Sequence, residues 1–128
     1  MEKYRVLVVD DFEPWRRFVC STLEQQRKDV EIVGESSDGW EAIEQAEELH
    51  PDLIMLDVGL PTLNGIETAR RLRRLSPCSK ILFVSQESSP EVIEEALRTG
   101  AEGYVVKVRA SDLLTAVDDA LALQAQTV

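Results

Sequence analysis

Short apolar segments alternate along this chain with longer segments in which apolar and polar residues are mixed. The apolar segments lie at residues 6–9, 30–34, 53–56, 80–84 and 103–106. A short run of aliphatic and β-branched residues bounded by polar residues is typical of a strand buried on both faces of a parallel sheet. The pattern therefore predicts five strands.

Between these strands, apolar residues recur every three or four positions, which is the spacing of one face of an α-helix. The predicted apolar faces are Trp15, Phe18, Val19 and Leu23; Trp40, Ile43, Ala46 and Leu49; Ile66, Ala69 and Leu72; Ile93, Ala96 and Leu97; and Leu113, Leu114, Val117, Ala120 and Leu121. Residues 36–39 are predicted to form a loop, and Gly100 to cap a helix. Alternating strands and helices imply a parallel sheet covered by helices on both faces.

Composition supports one globular domain. The chain has 128 residues, of which 44% are hydrophobic and 30% are charged, an ordinary globular balance. We expect one domain over residues 1–123 and a C-terminal tail or linker stub over residues 124–128. The net charge of −10 argues against nucleic-acid binding through this surface. No apolar run reaches the length of a membrane span and no signal-peptide pattern is present, so a cytoplasmic location without membrane contact is expected.

Residues for thiol, zinc or triad chemistry are scarce. Cys20 and Cys78 are the only cysteines, and both are predicted to be free thiols. His50 is the only histidine and is predicted to close a helix before Pro51. The sequence therefore argues against a histidine-based zinc site and against a Ser-His-Asp triad.

Polar residues follow four of the predicted strands. Asp10 and Asp11 follow the first strand, Asp57 the third, Ser85 the fourth and Lys107 the fifth. In open α/β sheets, ligands bind in the crevice outside the carboxyl ends of the strands. Three clustered carboxylates repel one another and a cation relieves that repulsion, so the pattern indicates metal and phosphate chemistry.

Each of these side chains suits one task in phosphoryl transfer, which needs mainly positioning and charge neutralisation. Asp57 is the candidate nucleophile, because a carboxylate on a central strand is held rigidly and can form an aspartyl phosphate. Asp10 and Asp11 offer oxygen ligands to a hard cation. Lys107 offers a compact positive charge, and Ser85 a hydroxyl, to phosphoryl oxygens.

With residues 56–65 and 104–107, these positions closely resemble the motifs of the receiver domain of bacterial two-component response regulators. The resemblance covers nearly the whole chain. It implies a receiver domain over residues 1–123 with a flavodoxin-like (βα)5 fold, a three-layer sandwich around a five-stranded parallel sheet of order 2-1-3-4-5.

The resemblance also implies a role for each residue of the site. Asp57 would take a phosphoryl group from a sensor histidine kinase or a phosphotransfer protein. Mg²⁺, or Mn²⁺ in its place, would be held by Asp11, Asp57 and the backbone carbonyl of Gly59, and by Asp10 largely through water. Lys107 and Ser85 would bind the phosphoryl oxygens, and the rotamer of Tyr104 would follow Ser85. Such a protein is a switch, not an enzyme, because it catalyses only its own phosphorylation and slow dephosphorylation.

Several positions depart from the common receiver pattern. Val108 follows Lys107 where many receivers have proline, so we expect a trans peptide bond and a loop of different shape. This feature resembles regulators of the LuxR/NarL type, which implies control of transcription through a separate DNA-binding domain; a homodimer is left open. Gly59, Gln86 and Glu87 are predicted to tune the dephosphorylation rate.

Three alternatives compete with the phosphorylated switch. An aspartyl phosphohydrolase would need a second acid soon after Asp57, and residues 58–61 contain none. A flavin or nucleotide binder would need a glycine-rich phosphate loop after the first strand, and residues 10–14 are acidic without glycine. A stand-alone receiver acting through protein–protein interaction is the remaining alternative.

Some surface features have two interpretations. Arg70, Arg71, Arg73 and Arg74 are interpreted as a solvated helix face, with a partner site as the alternative. Trp15 is predicted to be half-buried near the rim of the site. Trp40 is either a rim residue or an exposed contact for another chain.

Overall fold

The computed structural model describes residues 2–126 and the side chains of residues 2–122. Strands and helices alternate along this part of the chain. The strands are β1 (Tyr4–Val9), β2 (Val30–Ser36), β3 (Leu53–Leu56), β4 (Lys80–Ser85) and β5 (Gly103–Val106), and the helices are α1 (Glu13–Gln26), α2 (Gly39–Leu49), α3 (Gly65–Leu75), α4 (Pro90–Leu97) and α5 (Leu113–Gln126). A 3₁₀ helix over Lys107–Asp112, kinked at Arg109, joins β5 to α5. The predicted tail overlaps the end of α5, and its residues 127–128 lie outside the described part.

All five strands run parallel in one sheet of order β2-β1-β3-β4-β5, which confirms the predicted flavodoxin-like topology. The register pairs Val9 with Leu56 and Leu56 with Phe83. The carboxyl ends of β1 and β3 are therefore level, and β4 extends beyond them to Ser85. Residues that follow these strands consequently share one edge of the sheet.

Each face of the sheet has its own hydrophobic core. One core combines alternate strand residues such as Val8, Met55 and Leu82 with residues of α1 and α5. The other combines residues such as Leu7, Ile54 and Phe83 with α2, α3 and α4. Because successive strand residues point to opposite faces, burial of both faces explains the continuous apolar runs of the inner strands β1, β3 and β4, whereas the edge strand β2 carries the exposed Glu31.

Side-chain caps fix where three of the helices begin. Asp38, Asn64 and Ser89 accept hydrogen bonds from the backbone N–H groups of Glu41, Glu67 and Val92, at 2.9, 3.0 and 3.3 Å. Such a cap typically contributes about 1 kcal/mol. The loop predicted at residues 36–39 is therefore shorter than expected, since Ser36 ends β2 and Gly39 begins α2.

Three residues predicted on apolar helix faces lie at the surface instead. Phe18, Trp40 and Leu97 are 46%, 51% and 42% exposed. In α2, the small residues Ala42 and Ala46 are buried against the sheet, and Trp40 faces outwards. Its ring lies under the Arg71 guanidinium at 4.8 Å. Trp40 is thus exposed and does not line the cavity described below, and its contact with another chain stays a prediction.

Part of the basic face of α3 is ion-paired. Arg70 contacts Glu67 at 3.3 Å and Glu95 at 3.0 Å, and Arg71 contacts Glu67 at 3.4 Å. Exposed pairs of this kind contribute little to stability. For these two arginines, the interpretation as a solvated, salt-bridged helix face is the one that the contacts favour.

The turns agree with the sequence in detail. His50 ends α2 in the left-handed conformation, with a φ of 49°, and Gly100 follows α4 with a φ of 95°. Residues 2–126 contain no cis peptide bond, so the bond between Lys107 and Val108 is trans, as expected. None of the described helices combines the length and apolar character needed to cross a membrane.

Gly65 is required by a close approach of backbone to backbone. A Cβ atom at this position would lie 1.9 Å from the carbonyl oxygen of Asp57, and the Gly65 N–H donates to the carbonyl of Val58 at 2.8 Å. At Gly59, by contrast, the nearest atom to an added Cβ is Asp57 Oδ1 at 4.0 Å. The first residue of α3 therefore packs directly on the backbone that carries Asp57.

We predict that Gly65→Ala lowers the free energy of unfolding by more than about 2 kcal/mol, because a backbone atom cannot move aside cheaply. Gly59→Ala is the matched control and should change that free energy by less than about 1 kcal/mol. Urea unfolding followed by circular dichroism measures both. Equal stabilities for the two variants would contradict the packing described at Gly65.

The two cysteines differ in environment. Both are free; Cys20 is buried in α1 and Cys78 is exposed. Burial raises the pKa of the Cys20 thiol to about 11, so this thiol stays protonated at pH 8. The thiolate is the reactive species, and Cys20 should therefore be inert in the folded protein.

We predict that a disulfide reagent such as DTNB titrates one thiol in the native protein at pH 8 and two after denaturation. Cys78→Ser should abolish the fast native reaction and leave the second thiol reactive only in denaturant. Rapid native labelling of Cys78→Ser would show that Cys20 is accessible and would refute the prediction.

Candidate functional site

The ends of four strands meet at one cavity of about 450 Å³. Asp10 follows β1, Asp57 follows β3, Ser85 ends β4, and Lys107 follows β5. The cavity is lined by Asp11, Phe12, Asp57, Val58, Gly59, Ser85, Gln86, Glu87 and Lys107. The structure thus brings together the residues that the sequence placed at separate strand ends.

Three carboxylates form the acidic part of the site. Asp10, Asp11 and Asp57 each offer one oxygen, and these oxygens lie within 4.8 Å of one another. Asp10 and Asp57 are buried and Asp11 is exposed. Burial raises the pKa of Asp10, and the nearby charge of Asp57 acts in the same direction, while hydrogen bonds from Lys107 and from the Phe12 N–H oppose the rise.

Lys107 joins the two buried carboxylates. Its Nζ lies 2.8 Å from Asp10 Oδ2 and 3.4 Å from Asp57 Oδ2. Three carboxylates and one ammonium group leave a charge of about −2 when all are ionised, which suits a divalent cation. Mg²⁺ is usually bound by one or two carboxylates, with water and phosphate oxygens completing its coordination, and this donor set fits that description.

Backbone N–H groups orient the other carboxylate oxygens. The Phe12 N–H donates to Asp10 Oδ1 at 2.9 Å, and the Gly59 N–H donates to Asp57 Oδ1 at 3.1 Å. In each residue the Oδ1 atom is held by the following loop while the Oδ2 atom faces Lys107. The loops after β1 and β3 therefore set the directions in which the acids point.

Ser85, Glu87 and Tyr104 are linked through one loop. The Glu87 N–H donates to Ser85 Oγ at 3.2 Å, and the Tyr104 hydroxyl donates to the Glu87 carbonyl at 2.7 Å. The Tyr104 ring stacks on Phe83 with centroids 5.9 Å apart, and partial burial raises the pKa of its hydroxyl. The Glu87 carboxylate accepts from the Ser89 N–H at 3.2 Å, next to the start of α4.

Two residues of α1 at this site were not assigned a role from the sequence. Arg16 donates to the backbone carbonyl of Asp10 at 2.7 Å and to Glu35 Oε1 at 2.9 Å, so it ties α1 to the ends of β1 and β2. Trp15 is half-buried, as predicted, and its ring faces the Lys107 ammonium group. Their positions in the first turn after the acidic pair were the only indication in the sequence.

Comparison with known proteins agrees with this geometry. A family model described as the response regulator receiver domain matches residues 6–118. The nitrate/nitrite response regulator NarL of Escherichia coli K12 is 39% identical over 122 residues, which are 94% of this chain and 56% of NarL. The chemotaxis protein CheY of Thermotoga maritima is 32% identical over 103 residues, which cover 80% of this chain and 84% of CheY.

Among solved structures, a two-component response regulator of the LuxR family from Aurantimonas sp. SI85-9A1 superposes with a TM-score of 0.88. Its sequence is 30% identical, and the match covers 94% of this chain and 86% of that chain. Relatives of NarL type extend further, since this chain spans about half of NarL. The matched family, the sheet order and the carboxylate-lined edge agree, and the chain belongs to the response regulator receiver domain family.

Proposed function

We propose that this chain is a phosphoacceptor switch of a two-component phosphorelay, with Asp57 as the residue that is phosphorylated. The observation that carries the proposal is the position of the Asp57 carboxylate in a solvent-connected cavity, 3.4 Å from Lys107 and beside two further acids. Receiver domains act mainly as signalling switches and interact with histidine kinases and phosphotransfer proteins. The phosphoryl donor is accordingly a phosphohistidine.

In the proposed reaction, an oxygen of Asp57 attacks the phosphorus of the phosphohistidine. The P–N bond breaks as the acyl phosphate forms, and the imidazole leaves with the electron pair of that bond and takes up a proton. Later, water attacks the same phosphorus and releases inorganic phosphate, which restores the Asp57 carboxylate. Such a cycle resets the protein and is not turnover of a metabolite.

Receiver domains bind Mg²⁺ at an acidic pocket. Here Asp11, Asp57 and the backbone carbonyl of Gly59 would hold it, with Asp10 contributing largely through water, and Mn²⁺ could take its place at the same oxygen donors. A cation held there would supply charge neutralisation for the phosphoryl oxygens. Asp10 and Asp57 are held by the N–H groups of Phe12 and Gly59, so these carboxylates are oriented beforehand.

Lys107 and Ser85 would bind the phosphoryl oxygens. Lys107 Nζ already lies within 3.4 Å of Asp57 Oδ2, so only a short movement is needed to reach a group attached there. Ser85 Oγ accepts a hydrogen bond from the Glu87 N–H, which leaves its hydroxyl hydrogen to donate to a phosphoryl oxygen.

The proposed signal passes from Ser85 to Tyr104. If Ser85 turns towards the phosphoryl group, the hydrogen bond to the Glu87 N–H is lost and the loop between β4 and α4 shifts. The carbonyl of Glu87 is the acceptor of the Tyr104 hydroxyl, so the same shift changes the position of Tyr104. The two-state element is this loop together with α4 and β5.

The proposed output is control of transcription through a DNA-binding domain outside this chain. Similarity to NarL over 56% of its length, and to a LuxR-family regulator, supports this output. A stand-alone receiver that acts by protein–protein interaction is the second candidate, favoured by the match over 84% of CheY. A gene that continues past Val128 into a DNA-binding domain would support control of transcription over the stand-alone receiver.

We predict that acetyl phosphate with Mg²⁺ adds one phosphoryl group to the protein, seen by intact mass spectrometry. Asp57→Asn should abolish the addition, because it removes the nucleophile, and chelation of Mg²⁺ should prevent it. Asp119→Asn, which removes an exposed carboxylate, is the matched control and should be phosphorylated normally. Continued phosphorylation of Asp57→Asn would place the acceptor elsewhere, and no addition to the wild type would favour a pure interaction module.

We predict that Gln86→Ala shortens the phosphoryl lifetime by roughly fivefold, which is about 1 kcal/mol on the hydrolysis barrier. Gln86 lines the cavity next to Ser85, and a smaller side chain there admits water more easily. Dephosphorylation after removal of the donor measures the lifetime, with Gln26→Ala in α1 as the control. An unchanged lifetime would remove Gln86 from the tuning positions and leave Gly59 and Glu87.

A further inference from the structure

Lys107 is held in place mainly by its own side-chain contacts. After Lys107, the 3₁₀ helix Lys107–Asp112 has no buried residue, and Val108 is 87% exposed. The lysine itself is largely buried, with 11% of its side chain exposed. Because a lysine has a flexible four-carbon stem, weak packing of the following backbone leaves the position of Nζ to the groups around it.

Two kinds of group contact the ammonium. Two carboxylate oxygens lie close to it, Asp10 Oδ2 at 2.8 Å and Asp57 Oδ2 at 3.4 Å. The indole ring of Trp15 has its centroid 5.4 Å from Nζ. This distance falls within the range in which an aromatic face attracts a cation, and tryptophan gives the strongest such attraction.

The Trp15 ring is itself well anchored. It lies in the first turn of α1, directly after Pro14, which fixes the backbone at the start of that helix. It packs against the core formed by α1, α5 and the sheet, and its centroid lies 5.2 Å from that of Phe18. The indole therefore presents an anchored face to the flexible side chain of Lys107.

We propose that Trp15 is a positioning residue that keeps the Lys107 ammonium group at the phosphoryl site. This inference rests on the proposed function, since Lys107 must move from the Oδ2 atoms of two acids to a phosphoryl oxygen during the reaction. The attraction of an aromatic face leaves the N–H groups of the Lys107 ammonium available as hydrogen-bond donors. Lys107 can therefore redirect its hydrogens to the phosphoryl group while the indole keeps it from turning out to solvent.

The first test is structural and needs no phosphorylation. Protons lying over an aromatic ring experience an upfield ring-current shift, so the ε-methylene protons of Lys107 should show one, with Lys107→Met used for their assignment. The shift should disappear in Trp15→Leu and persist in part in Trp15→Phe. Absence of the shift from the wild-type protein would overturn the proposed contact.

The second test measures the rate of phosphorylation over a range of acetyl phosphate concentrations with Mg²⁺. Trp15→Leu should lower the maximal rate by roughly fivefold, and Trp15→Phe should restore most of it, because phenylalanine keeps an aromatic face. Trp40→Leu is the matched control. It removes a tryptophan that also lies beneath a cation, Arg71, but away from the cavity, and should phosphorylate at the wild-type rate.

Each outcome separates this inference from the proposed function. A wild-type rate in Trp15→Leu overturns the role of Trp15 while leaving Asp57 as the phosphoacceptor. Equal slowing in Trp15→Leu and Trp15→Phe assigns Trp15 to packing alone and also overturns it. Failure of the wild type to be phosphorylated refutes the proposed function, and the ring-current shift then still supports or refutes the contact between Trp15 and Lys107.

Discussion

Electrostatic repulsion among three carboxylates is the constraint on which the rest of this structure depends. Asp10, Asp11 and Asp57 offer oxygens within 4.8 Å of one another. Two like unit charges about 4 Å apart repel by roughly 4 kcal/mol at the effective dielectric of a protein surface. Lys107 offsets part of this repulsion, because its ammonium group contacts both buried acids. The end of β5 must therefore stay within side-chain reach of the ends of β1 and β3.

The parallel sheet meets this requirement. It also places the site next to Tyr104 and the start of α4. Its two apolar cores hold the strands in register, and the backbone that follows β1 and β3 orients the carboxylates of Asp10 and Asp57. Ser85 lies at the site, Tyr104 lies on β5, and Glu87 is hydrogen-bonded to both. Two hydrogen bonds thus connect the end of β4 with β5, and Tyr104 also stacks on Phe83 of one core.

Much of the fold and of the site could be predicted because burial on both faces leaves a clear pattern in the sequence. The five strands, and the polar residues that follow four of them, were identified from that pattern. The resemblance to receiver domains added the order of the strands. The buried face of each helix was harder to predict, because the same spacing of apolar residues fits more than one rotation of the helix about its axis. Trp40 and Leu97 fit the spacing yet are exposed, since Ala42 and Ala96 occupy the closely packed positions.

The sequence by itself determined the alternation of strands and helices and the types of polar residue at the strand ends, because both follow from local periodicity and turn chemistry. Only the tertiary structure decided which atoms meet. It showed that Gly65 packs on the carbonyl of Asp57, that Arg16 binds the carbonyl of Asp10, and that Trp15 faces Lys107. These contacts join residues of different elements, and their distances depend on how helices rotate and pack against the sheet, which no local pattern specifies.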